Sequence, residues 1–173
     1  MGFAHLLIIK TYFDAIYVDF SNHITALPPP AHKQSCLHYD FSLNTWRQTM
    51  INRIMLDNLL KPVSHYCHAV EANGIVWVSG LVGMRADGSI PANTVDQFDI
   101  AMDDVEACLK AAGSGLDKVT KVRIFMTNIT ERASINPRRI RAFGDNLPAS
   151  TLVEVSALVD PRMTVEIECE AIL

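Results

Sequence analysis

Glu166, Glu168 and Glu170 stand at alternate positions near the C-terminus, interleaved with Val165, Ile167, Cys169 and Ala171. Side chains alternate between the two faces of an extended strand, so this spacing puts three carboxylates on one face and four apolar groups on the other. Like charges held this close repel, and each raises the proton affinity of its neighbours. A carboxylate perturbed in that way can serve as a general base or acid. The competing reading is a solvated outer face, the usual location of glutamate.

Other constellations are weaker. His65-x-x-His68 with Cys67 between suggests a metal, but on a strand positions 65 and 68 face opposite sides. A metal site needs three or four convergent ligands, so none is expected. No phosphate loop or dinucleotide fingerprint is present, and no cofactor is expected. Arg138, Arg139 and Arg141 read as the solvated basic face of a helix.

The elements that must position these groups follow from periodicity. Asn73-Gly74 between Cys67–Ala72 and Ile75–Gly80 marks a two-residue hairpin turn. Asp87-Gly88 marks a turn in a loop ending at Pro91. Thr94 and Gln97 have the spacing of a capping box. The helix after them buries Phe98, Ala101, Val105, Cys108 and Ala112, turns Asp99, Asp103, Asp104 and Glu106 to solvent, and stops at Gly113. Val119–Thr127 reads as a strand with Val122, Ile124 and Met126 inward. A second helix is expected from Thr130 to about Phe143, with Asn136-Pro137 marking a kink or a late start. Two C-terminal strands complete an α+β order, with helices packed on one face of a sheet.

Residues 1–56 show little sustained periodicity, with a Pro28-Pro29-Pro30 break. They are expected to be an extension, disordered or a mis-assigned start, ahead of one domain over 57–173. Trp46–Leu60 has helical spacing at Trp46, Met50 and Ile54. The apolar start is interrupted by Lys10, Asp14 and Asp19, so neither a signal peptide nor a membrane anchor is expected. Residues 57–173 hold 11 Lys and Arg against 16 Asp and Glu, a net charge of −5. An acidic domain argues against a nucleic-acid partner, because phosphate binding needs a basic face. Four cysteines without paired spacing fit a reducing cytoplasm.

Six segments in order resemble one family. They are His65–Val70, Val76–Gly80, Ala111–Ser114 with Leu116–Val119, Thr120–Asn136, Pro148-Ala149-Ser150 and Val165–Glu168. Together they are similar to the RidA (YjgF-like) family over about 57–173. The resemblance implies a chorismate-mutase-like fold, a mixed sheet with two helices on one face. It also implies a homotrimer with clefts at subunit boundaries, and hydrolysis of enamines or imines to a ketone and ammonia. Carried over by position, Glu166 is the catalytic residue, and Tyr66, Ser79, Gly80, Asn136 and Ser150 bind a small-molecule substrate. Where the family has an arginine that clamps the substrate carboxylate, this chain has Ser150. A serine hydroxyl cannot replace a bidentate guanidinium. Either the chain is poor on ordinary 2-imino acids, or another arginine, with Arg85 and Arg138 as candidates, takes that role. A trimer of the same fold that binds a metabolite without turnover is the alternative.

Overall fold

The computed structural model describes residues 50–173 and, near the start of the chain, two short strands, Leu7–Lys10 (β1) and Ala15–Val18 (β2). These two pair antiparallel, Leu7 opposite Val18, in a unit spanning Met1–Thr45. The second unit, Trp46–Leu173, holds the rest. Its strands are Asn52–Ile54 (β3), Ala69–Ala72 (β4), Ile75–Val82 (β5), Val119–Met126 (β6), Ala149–Glu154 (β7) and Val165–Ile172 (β8). They form one sheet in the order β3-β4-β5-β8-β6-β7. All neighbours are antiparallel except β6 and β7, which are parallel. Two helices, Thr94–Ala111 (α1) and Asn136–Phe143 (α2), complete the α+β domain.

The hydrophobic pattern dictates which face is covered. Val165, Ile167, Cys169 and Ala171 of β8 are buried, as are Val122, Ile124 and Met126 of β6. They meet Phe98, Ala101, Val105 and Cys108 of α1 in one core. Phe143 of α2 and Ile135 just before it join that core. Asn73 (φ 54°) and Gly74 (φ 78°) make the expected hairpin turn with both central residues at positive φ. At the end of α1, the N–H of Gly113 (φ 84°) donates to the Lys110 carbonyl, as a left-handed helix stop requires.

Gln97 joins three parts of this core. Its side chain is fully buried. Its Nε2 donates to the carbonyls of Pro91 (2.8 Å) and Arg162 (2.9 Å), and its Oε1 accepts the N–H of Thr164 (2.8 Å). One amide thereby ties the loop before α1 to the approach to β8. Gly83, just past β5, lies so close that a Cβ there would overlap the Gln97 backbone.

Several sequence expectations are corrected. The cap of α1 is Asn93 rather than Thr94: its Oδ1 accepts the Asp96 N–H at 2.9 Å, and its Nδ2 donates to Asp96 at 2.8 Å. Gln97 is thereby released for the core. The second helix does not begin at Thr130. Asn128 caps a 3-10 turn over Ile129–Ala133, and α2 starts at Asn136, with the proline near its first turn where a missing N–H costs nothing. Asp99 and Asp103 are not simply solvated. Asp99 pairs with Arg138 (3.2 Å) and Arg141 (3.7 Å), and Asp103 with Arg138, so α2 lies beside α1. The helical spacing over 46–60 is overridden where the chain pairs with β4: Asn52–Ile54 is an edge strand, and Ile54 is buried. Trp46 lies outside the described residues. Three residues placed ahead of position 57 therefore belong to the sheet.

Two stability measurements follow. Gln97→Leu leaves two carbonyls and one N–H without their partner, at about 1–3 kcal/mol for each orphaned group. Denaturant unfolding should show a loss of at least about 3 kcal/mol. The residues ahead of β3 are proposed to be dispensable. A chain begun at Met50 should then fold normally, whereas one begun at Met55 should melt lower, having lost Ile54, whose burial is worth about 1.5–3 kcal/mol.

Candidate functional site

The face of the sheet away from the helices carries Glu166. On β8 it sits opposite Val82 of β5 and Phe125 of β6, between buried positions. A cleft of about 510 Å³ opens there. Tyr66, Ser79, Gly80, Glu166 and Glu168 supply its polar side, and Leu60, Val63, Met84, Val159 and Met163 its apolar side. Four of the six residues expected in the site thus come together in one chain.

The local fold explains the convergence. The pairing of β5 with β8 slips between Val78 and Leu81, leaving Ser79 and Gly80 in a bulge. Bulges re-aim side chains at sheet edges and beside functional sites. Here the bulge opens space beneath Glu166, and a Cβ on Gly80 would overlap the Glu166 carboxylate. The carboxylate therefore lies directly over the Gly80 backbone. The Ser79 hydroxyl donates to the Cys67 carbonyl at 2.7 Å, and the Ser79 N–H to the His68 carbonyl at 3.0 Å. These bonds fix the bulge to the segment that carries Tyr66, which is 46% exposed at the cleft.

The three glutamates are not equivalent. Arg123 on β6 reaches across to Glu168 (3.0 Å) and Glu170 (2.9 Å). Glu166 has no ion pair among the described residues. Burial pushes its carboxyl above the ordinary glutamate value, and the Glu168 charge adds to the shift. A carboxylate raised in this way is a better proton acceptor than one free in water.

Beneath the cleft, His68 is buried and both ring nitrogens are engaged. Nδ1 accepts the Leu56 N–H at 3.0 Å, and Nε2 lies 2.9 Å from the Leu60 carbonyl. That pattern defines a neutral ring protonated on Nε2, with no lone pair left for a metal. His65 is exposed nearby. His68 and, on α1, Asp104 border a small hollow next to the cleft. Burial, assisted by Asp103, pushes the Asp104 carboxyl up to about 6.

Asn136 and Ser150 lie elsewhere. Ser150 pairs with Val122, and Leu152 with Ile124, so both belong to the helix-covered side of the sheet. Asn136 opens α2 and lines a second hollow of about 550 Å³ with Arg132, Arg139 and Leu152. Within one chain the sheet separates this group from Glu166. Sequence reasoning missed Arg139, whose Nη2 donates to Ser150 Oγ at 2.8 Å. The available signal was its position three residues after Asn136, on the same helix face. Of the arginines expected as candidates, Arg138 is engaged by Asp99 and Asp103, and Arg85 contacts Ser89 in an exposed loop.

Comparison with known proteins points to one family over residues 56–173. The family model described as Endoribonuclease L-PSP matches residues 56–173. A Drosophila melanogaster protein, RutC family protein UK114, is 37% identical over 117 residues, covering 66% of this chain and 84% of its own. A 2-iminobutanoate/2-iminopropanoate deaminase from Dermatophagoides farinae is 30% identical over 110 residues, covering 62% of this chain and 85% of its own. The crystal structure of YyfA, of the Rid protein family, from Yersinia pestis superposes with a TM-score of 0.68 at 31% identity. It covers 72% of this chain and 100% of its own.

The raised carboxyls predict a pH signature. A carboxyl whose folded value lies above its unfolded value keeps its proton longer in the folded state. Its effect is to lower stability as pH rises from the ordinary carboxylate range, levelling off above the raised value. Glu166→Gln and Asp104→Asn should each be more stable than the unaltered protein at neutral pH. For Asp104→Asn the gain should be complete above about 6 and should vanish toward the ordinary value of 3.8. Melting temperatures measured across that range test both signs.

Proposed function

The chain belongs to the Endoribonuclease L-PSP family, that of the RidA (YjgF-like) proteins, and from that premise we propose that it hydrolyses small reactive enamines or imines to the carbonyl compound and ammonia. The observation that carries this reading is the Glu166 carboxylate, seated over Gly80 in a cleft, without an ion pair among the described residues and with raised proton affinity. Glu166 takes a proton from a water as that water attacks the imine carbon. The imine nitrogen enters protonated, so attack gives a neutral carbinolamine. Glu166 then returns its proton to nitrogen, and the C–N bond breaks as the hydroxyl proton passes to Glu166, releasing ammonia and the carbonyl product. An enamine enters the same sequence after protonation at carbon. Ser79, Gly80 and Tyr66 bind and orient the substrate, and the apolar wall of Val63, Met84 and Val159 limits water beside it.

We place the complete site between copies of the chain, in a homotrimer. Asn136 and Ser150 lie on the sheet face opposite Glu166, so only a neighbouring copy can bring them to a substrate held by Glu166. Binding without turnover is the second reading, favoured by Ser150 where the family has its arginine. The acidic domain speaks against an RNA substrate despite the family's description. We assign the protein to the cytoplasm, a reading supported by three unpaired cysteines, Cys67, Cys108 and Cys169, among the described residues. No helix among the described residues is long and apolar enough to cross a membrane.

Ammonia release from enzymatically generated imines tests the reaction. Glu166→Gln keeps size and hydrogen bonding but removes the base, and should lower turnover by about 10²–10⁴-fold. Unchanged turnover would assign the chemistry elsewhere, and no turnover by the unaltered protein would favour the binding reading. Sedimentation equilibrium at micromolar concentration should give a trimer, and a monomer would overturn the shared site.

A further inference from the structure

We propose that Arg139 of α2 binds the carboxylate of an anionic substrate, with Ser150 holding its guanidinium in place. The family-like position on β7 carries only a hydroxyl, yet a guanidinium stands 2.8 Å from that hydroxyl. The positive charge at this point of β7 is thus supplied by the neighbouring helix. This inference rests on the imine-hydrolase reading for its substrate, but the anion site itself is separately measurable.

Arg139 differs from its neighbours on α2. Asp99 and Asp103 neutralise Arg138, and Asp99 also approaches Arg141. Arg139 has no ion pair among the described residues. Glu154, on the same side of β7 as Ser150, accepts the Ile129 N–H at 2.8 Å instead. A guanidinium offers five N–H donors in a plane. The contact to Ser150 Oγ involves Nη2, and the remaining donors can still form the two-point fork that a carboxylate accepts. Asn136, one helical turn earlier and in the same hollow, adds a neutral amide donor for a second polar atom. Leu152 supplies an apolar contact. In a domain of net charge −5, an arginine kept clear of the surrounding acids selects for small anions.

The arrangement divides the work between two copies of the chain. One contributes Glu166 and the reacting end of the cleft, and its neighbour contributes Arg139 and Asn136 at the carboxylate end. It also sets an expectation for Ser150→Arg. A second guanidinium at position 150 meets Arg139 at close range and repels it, so the substitution should not strengthen anion binding.

The test uses the full chain and two readouts. In the first, 2-oxobutanoate, a carboxylate with the product's shape, is titrated calorimetrically. Arg139→Met should weaken its binding by about tenfold to a hundredfold, the effect of losing a charged hydrogen-bonded pair, and Arg139→Lys should recover part of that loss. In the second, ammonia release is followed from the imines of 2-aminobutanoate and of an uncharged amine. Arg139→Met should raise KM for the anionic imine at least tenfold more than for the neutral one, whereas Glu166→Gln should lower kcat on both. Equal binding of 2-oxobutanoate by Arg139→Met and the unaltered protein overturns the proposal, as does failure of the unaltered protein to bind it. Absence of turnover alongside Arg139-dependent binding overturns the hydrolase reading and leaves the anion site standing.

Discussion

The buried amide of Gln97 is the constraint on which the site depends. A fully buried primary amide is tolerated only when its donors and acceptor are satisfied, and here three backbone groups do so. Two of them, Arg162 and Thr164, immediately precede β8. Glu166 is two residues further on, so the position of α1 sets where that strand begins and which face its carboxylates take. A slip of one residue would turn Glu166 into the core and Val165 out of it. The Thr164 N–H held by Gln97 opposes that slip.

Charge is distributed with similar economy. Arg123 serves Glu168 and Glu170, which leaves Glu166 as the member of the row whose proton affinity is set by burial and a like-charged neighbour. Exposed ion pairs of this kind contribute little to stability. Their consequence is electrostatic rather than structural, because they leave one carboxylate of the three without an ion pair among the described residues.

Much of the fold was legible because it follows from period and turn chemistry. The alternation in β6 and β8, the Asn73-Gly74 turn and the Gly113 stop each reflect a local rule that packing reinforces. Where tertiary context outweighed the local rule, sequence reading missed. Asn93 took the cap because Gln97 was needed inside. Asn52–Ile54 became a strand because β4 offered an unpaired edge. In the candidate site, the cleft residues near Gly80 and Glu166 were recognisable from their motif. Arg139 was harder to see: its spacing from Asn136 puts both on one helix face, but nothing in the spacing from 139 to 150 announces the contact with Ser150.

The sheet order has a consequence for biosynthesis. β3, β4 and β5 are contiguous in the sheet, as are β6 and β7, and β8 alone joins the two groups. β8 follows the other five strands along the chain, so a ribosome delivers it after both groups have emerged. Until then each group exposes an unpaired strand edge next to half of an apolar core, the state most open to off-pathway association. The carboxylate at the centre of the cleft thus arrives on the same segment that closes the sheet, and a nascent chain cannot hold Glu166 in place before its fold is complete.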